Sequence, residues 1–209
     1  MDSDFWHSRW SAGQIGFHEG APNTHLVAHA GVLGTGRRVL VPLCGKTADL
    51  AFLAARGHEV VGVELVESAV RAFFEEHGAT PVVTRQGPFT RFAAKSITVL
   101  SGDFFATTRE LVGPVDALYD RAAIIALPEP MRAAYAKHLR TLLPAGAPGL
   151  IVTLEYPQAA MSGPPFSVPE AELRAQHYAG LTLERVAEVK AGGRFSEVAA
   201  VEKCFAARF

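Results

Sequence analysis

The chain has 209 residues, 49% of them hydrophobic and 20% charged, with a formal net charge of -1. That length suits one domain with a sizeable core. The near-zero charge argues against a nucleic-acid binder that works by neutralising phosphates, and no apolar run reaches the roughly 18 residues that span a bilayer.

The N-terminus, Met1-Asp2-Ser3-Asp4-Phe5-Trp6-His7, lacks the basic-then-apolar pattern of a signal peptide. Cys44 and Cys204 are the only cysteines and lie far apart, so a disulfide framework is not expected and a reducing cytosol is. Asp4 to Trp10 reads as a short amphipathic helix with an aromatic face. Residues 22–33 read as a second helix, opened by Pro22 and closed by Gly31 or Gly34. Arg37 to Val41 is the first strand. It breaks at Pro42-Leu43-Cys44-Gly45-Lys46 into a helix that Thr47 can cap and that ends near Gly57. Glu59 to Glu64 is the second strand, and Glu67 to His77 a helix with Val70, Phe73 and Phe74 inward.

Residues 81–95 read as a hairpin around Gln86-Gly87-Pro88. Further strands follow at Ile97–Leu100, Val115–Tyr119 and Leu150–Leu154, with a helix over Met131–Leu143 and a loop over Pro144–Gly149. A Pro/Gly loop, Ser162 to Phe166, precedes a helix from Glu170 to Tyr178. Two closing strands, near 181–189 and 197–206, flank a Gly192-Gly193 turn. The alternation predicts an α/β fold: a mostly parallel, seven-stranded sheet with helices on both faces and a C-terminal antiparallel strand pair.

Ligands bind such sheets at the carboxyl ends of the strands. Those ends carry Leu43-Cys44-Gly45, Glu64, Asp103, Asp120-Arg121 and Glu155-Tyr156. Glu64 stands about 20 residues after the first loop, where an acid can grip ribose hydroxyls. The loop has one glycine, no G-x-G-x-x-G, and Asp49 in the following helical turn, which would repel an anion. The pattern therefore suits an adenosine cofactor without phosphate, for which S-adenosylmethionine is the common choice. Asp103 could accept from an adenine amino group or simply cap the turn before Phe104. His25 and His29 share a helix face, but no Glu follows His25 and no cysteine cluster accompanies them. They read as solvated or capping, and no metal is expected. Cys44 is a reactive thiol or, more simply, a small packing residue.

Six motifs resemble the thiopurine S-methyltransferases, especially the shorter bacterial members, over nearly the whole chain. They are Trp6-x-x-x-Trp10-x-x-Gly13 with Phe17-His18, Pro42-Leu43-Cys44-Gly45-Lys46, and Gly57-His58 leading into Val60-Val61-Gly62-Val63-Glu64. Gly102-Asp103-Phe104-Phe105, Asp120-Arg121-Ala122-Ala123 and Gly163-Pro164-Pro165-Phe166-x-Val168 complete the set. The resemblance implies a class I, Rossmann-like methyltransferase with S-adenosylmethionine as donor. It implies one domain over 1–209, with residues 1–35 as a helical lid. It implies cofactor contacts from Trp6, Trp10, Phe17, Leu43, Cys44, Gly45, Glu64, Asp103, Phe104 and Arg121. It places Phe17 against the substrate and a second arginine, Arg194, near it. Phe166 with Pro164-Pro165 suits an apolar substrate wall, Tyr156 is a further candidate substrate contact, and Arg121 is the candidate catalytic residue, favouring an anionic sulfur.

The acceptor expected is the sulfur of a thiopurine or another aromatic or heterocyclic thiol. Selenium or tellurium oxyanions, halide and sulfide are the alternatives, because soft nucleophiles suit the same site. A nicotinamide-dependent oxidoreductase and a non-catalytic binding module are the rival classes. No nucleic-acid or membrane partner is expected, and the chain is read as a monomer.

Overall fold

The computed structural model describes residues 3–15, 18–121 and 123–209, with the side chains of Ser3 and Arg194 outside that description. Helix α1 spans Ser3–Ser11, followed by α2 (Thr24–His29), which runs into a 3-10 turn, Ala30–Leu33. The single helix expected over 22–33 is thus two pieces. Asn23, not Pro22, opens it: its side chain accepts from the His25 and Leu26 N–H groups. The central elements are β1 (Arg38–Pro42), α3 (Asp49–Ala55), β2 (Glu59–Glu64), α4 (Glu67–Glu76), β3 (Val82–Gln86), β4 (Phe89–Ala94) and β5 (Ile97–Ser101). Then come α5 (Arg109–Val112), β6 (Ala117–Asp120), α6 (Ala123–Ala126), α7 (Glu129–Leu142) and β7 (Pro148–Glu155). The chain closes with α8 (Glu170–Glu172), which continues as a π-helical turn over Leu173–His177, and with β8 (Thr182–Lys190) and β9 (Val201–Arg208).

The described strands form one sheet in the order β3-β4-β5-β2-β1-β6-β7-β9-β8. It has nine strands, not seven. The 81–95 hairpin is not an excursion: β4 pairs antiparallel with β5 and buries Phe89 and Phe92 completely. The five central strands are parallel, and the pairings make β3 and β8 point the same way, with only β4 and β9 opposed. β7 starts earlier than expected, because Pro148 and Gly149 pair with Arg208 and Ala207. β9 starts later, because Gly193–Val198 coils into a 3-10 helix instead of a tight turn.

Alternation along the strands builds a core on each face. Val39, Val41 and Val60 point to the face covered by Leu26, Leu50, Leu53, Val70 and Phe73, from α2, α3 and α4. Leu40, Val61 and Leu118 point to the face covered by Ile124, Tyr135 and Leu139, from α6 and α7. The chain moves from β1 outward through β2 to β5, then returns to place β6 on the other side of β1. Strand order therefore switches between β1 and β6, which opens a crevice beyond their carboxyl ends. Among the described residues, no helix is long and apolar enough to cross a membrane.

Candidate active site

Three strand tips are tied into one row by backbone bonds: Cys44 N–H donates to Val63 O at 3.1 Å, and Gly102 N–H to Glu64 O at 2.9 Å. Glu64 lies in the middle, 7% exposed. One carboxylate oxygen accepts the Gly45 N–H at 2.7 Å and the other the Val66 N–H at 2.8 Å. Burial raises its pKa against the pull of these donors. A carboxylate has about four acceptor sites, so Glu64 keeps acceptor capacity beyond these backbone donors.

The β1 loop is shaped by two left-handed residues, Leu43 at φ 50° and Gly45 at φ 54°. A Cβ on Gly45 would lie 3.3 Å from Cζ2 of Trp10, so the Trp10 ring packs down on this loop and α1 lies across it. Phe5 and Trp6 meet edge-to-face at 5.3 Å on the same helix. Cys44 is buried with its sulfur against Gly62, where a Cβ would come within 2.8 Å. Burial, then the Glu64 charge, pushes the Cys44 thiol well above its ordinary pKa. It is a protonated packing group, not a reactive thiolate. Phe17 lies outside the described residues, and of Arg194 only its place in the 3-10 helix is described.

Asp103 is exposed and accepts the Phe105 N–H at 3.0 Å, capping a 3-10 turn over Phe104–Ala106. Phe104 sits inside the core, 4% exposed, with its ring 5.3 Å from Tyr135 and 5.2 Å from His138. At the tip of β6, neighbouring residues diverge. Asp120 is fully buried and accepts from the Ala123 and Ile124 N–H groups and from the Tyr135 hydroxyl at 2.7 Å. Arg121 turns the other way and pairs with Glu19.

Tyr156 is buried, and its hydroxyl donates to Pro165 O at 2.7 Å. Phe166 N–H donates to Ile125 O on α6, which begins two residues after Arg121 and so joins the two regions. An open cavity of about 540 Å³ is lined by Tyr156, Phe166, Arg132 and Glu172; of the strand-end residues only Tyr156 lines it, and Glu64, Asp103 and Arg121 do not.

Several groups were not legible in the sequence. Glu19 is the only acid between Phe5 and Pro22, which is the one signal that could have flagged it. Asp49 is buried rather than open to an approaching anion. It accepts the Asn23 N–H at 2.7 Å and the Tyr119 hydroxyl at 3.0 Å. Its position still disfavours a phosphate, and Thr47 lends it only a weak 3.3 Å contact instead of capping the helix. His25 is buried beside Glu202 at 3.3 Å, not solvated. Lys46 pairs with Glu76 at 2.5 Å.

The family model described as "Thiopurine S-methyltransferase (TPMT)" matches residues 1–204. The chain belongs to the thiopurine S-methyltransferase family. It is 52% identical over 188 residues to the thiopurine S-methyltransferase of Pseudomonas aeruginosa (strain UCBPP-PA14), covering 89% of this chain and 86% of that protein. It is 52% identical over 177 residues to that of Xanthobacter autotrophicus (strain ATCC BAA-1158 / Py2), covering 83% of each. Among solved structures it resembles 1,6-didemethyltoxoflavin-N1-methyltransferase from Burkholderia thailandensis, whose crystal contains S-adenosylhomocysteine. The TM-score is 0.67 at 17% identity, over 99% of this chain and 86% of that one. A TehB-like methyltransferase from Corynebacterium glutamicum matches with TM-score 0.57 at 14% identity, over 97% and 96%. These two show the fold alone. Family membership makes the protein an S-adenosylmethionine-dependent methyltransferase acting on sulfur, and it removes the nicotinamide and non-catalytic readings. The residues present fit that donor: a buried, oriented carboxylate at the second strand tip and a loop capped by an indole.

Proposed function

We propose that the enzyme methylates the sulfur of thiopurines or other aromatic and heterocyclic thiols. The observation that carries this reading is the strand-tip row. Glu64 is held by Gly45 and Val66 beside the loop on which the Trp10 ring packs, and Arg121 follows the tip of β6, on the other side of β1.

Glu64 accepts from the ribose hydroxyls, and Leu43, Cys44 and Gly45 form the floor beneath them. Asp103, with the turn at Phe104, flanks the adenine. Bound there, S-adenosylmethionine would supply an activated methyl group on its sulfonium sulfur for the acceptor sulfur to receive, with S-adenosylhomocysteine as the leaving group. Trp6, Trp10 and Phe17 belong to a lid, residues 1–35, on a single methyltransferase domain over 1–209. Their ring faces attract a sulfonium by roughly 0.5–2 kcal/mol and exclude water. A free thiol has a pKa of about 8.5, and a heteroaromatic thiol ionises more readily, so the acceptor needs little help from a base. Arg121 favours the anionic sulfur electrostatically. Phe17, Tyr156, Phe166 and Arg194 bound the acceptor. Both cysteines are buried and unpaired, which suits a reducing cytosol.

Calorimetry with S-adenosylmethionine tests the donor site, and absence of binding overturns the reading. A methyl-transfer assay over thiopurines, aromatic thiols, selenite and tellurite tests the acceptor. Turnover confined to the oxyanions would replace the thiol reading.

A further inference from the structure

Arg121 is enclosed, with 17% of its side chain accessible, and its partner Glu19 is more open at 41%. The pair is not a casual surface contact. The second oxygen of Glu19 accepts from the Asn23 side-chain amide at 3.3 Å. Asn23 is itself fixed twice. Its carbonyl oxygen caps α2, and its backbone N–H donates to Asp49 at 2.7 Å. Asp49 in turn accepts from the hydroxyl of Tyr119, two residues before Arg121 on β6. The chain of contacts Tyr119–Asp49–Asn23–Glu19–Arg121 leaves β6 and returns to its own tip. It holds one carboxylate on the guanidinium through four built contacts.

The charges around this point are already matched. Lys46 is neutralised by Glu76 at 2.5 Å, and a third acid, Glu202, lies beside His25 within electrostatic reach of Arg121. Arg121 and Lys46 are thus each paired with a carboxylate, and Glu202 and Asp49 add further negative charge nearby. An anionic acceptor entering here meets no surplus positive charge, although Arg121 is the group that would favour it. Glu19 takes one nitrogen of the guanidinium and cancels its charge, so an ionised acceptor feels the full pull of Arg121 only where the Glu19 carboxylate gives way.

We infer that Glu19 is a specificity-determining residue: an internal anion that occupies Arg121 and competes there with an acceptor anion. This rests on the reading that Arg121 faces the acceptor. A neutral acceptor leaves the Arg121–Glu19 pair intact, whereas an ionised acceptor competes with it. Glu19 thus penalises anionic acceptors selectively. Ionised acceptors are therefore held less tightly than an unpaired Arg121 would hold them, while neutral ones are unaffected.

The test compares wild type with Glu19→Gln, which keeps the size and the amide-accepting oxygen but removes the charge. Two aromatic thiols serve as probes at pH 8: thiophenol, which is ionised, and benzyl mercaptan, which is not. The expected result is a fall in KM for thiophenol, so that the thiophenol-to-benzyl-mercaptan ratio of kcat/KM rises by about tenfold, equivalent to 1.4 kcal/mol. Glu19→Asp, whose shorter carboxylate holds Arg121 less well, should give an intermediate ratio and guards against a folding artefact of the first variant. A purely structural strap would lower kcat/KM for both probes together. An unchanged ratio in active variants, or a rise in the thiophenol KM, overturns the inference while leaving the methyltransferase reading intact. If the wild-type enzyme methylates neither thiol, the reading itself fails and the inference fails with it.

Discussion

Asp120 is the most consequential buried charge beside the site, and replacing it with Asn gives a quantitative test. The side chain is fully buried, and burial raises its pKa from 3.8 to about 6 despite donors from Tyr135, Ile124, Ala123 and Tyr178. The folded protein therefore holds a proton on this group more tightly than the unfolded chain does. Stability from this group is fully present below pH 3.8 and is lost as pH rises through about 6. A shift of about 2.2 units at 1.36 kcal/mol each amounts to about 3 kcal/mol, of which roughly 2 falls between pH 4 and 7. Asn keeps an oxygen for the Ala123 and Ile124 N–H groups, which lie 3.1 and 3.3 Å from one Asp120 oxygen. Its amide faces two tyrosine hydroxyls that can turn to accept. Urea unfolding of both proteins at half-unit steps from pH 4 to 7 isolates the group, because every other carboxylate cancels in the difference. The wild type should lose roughly 2 kcal/mol relative to Asp120→Asn across that window. A difference that stays flat, or grows in favour of the wild type as pH rises, would refute the argument.

Replacing Gly45 with Ala forces a non-glycine residue to φ 54° and puts its Cβ 3.3 Å from the Trp10 ring, so calorimetry should show weaker S-adenosylmethionine binding and tryptophan fluorescence should shift. Glu64→Ala strands two N–H groups now bonded at 2.7 and 2.8 Å, at about 1–3 kcal/mol each in unfolding free energy, and should raise the donor Kd more than tenfold. Normal donor affinity in that variant would remove Glu64 from the site. Tyr119→Phe leaves a buried oxygen of Asp49 without its 3.0 Å donor, which costs about 1–3 kcal/mol. Hydrogen exchange at the Asn23 amide should quicken in that variant, and an unchanged rate would show that Asp49 holds the strap without help from β6.

The central sheet was legible because β1 and β2 are continuous apolar runs, which only strands buried on both faces require. Glu64 stood out for the same reason, as a carboxylate ending such a run. The hairpin's place in the sheet was not legible, since β3 is exposed over its first four residues and resembles a free loop, while its partner β4 buries only every third residue. The pairing of Arg121 was hidden by distance: its partner lies 102 residues away. Asp49 was read for the charge it presents to a phosphate. Its two structural bonds, reaching 26 and 70 residues along the chain, leave no local pattern. His25 was misread because a single helix gives no hint that Glu202 of the last strand packs beside it.

The end of β6 explains why so few residues can organise so much of the site. Alternation along a strand sends successive side chains to opposite faces. Tyr119 therefore reaches Asp49 in the layer of α3, while Asp120 reaches Tyr135 in the layer of α7. Each helix layer is bonded to the same strand tip by a buried carboxylate–hydroxyl pair. The residue that follows, Arg121, inherits a base fixed from both sides at the point where strand order switches. Against that fixed base the group that can move is Glu19, which is attached through the N-terminal segment and is the most exposed member of the contact chain. The buried anchoring of β6 and the greater exposure of Glu19 have complementary roles. Arg121 does not need to move to meet an acceptor, because releasing its counter-ion is enough.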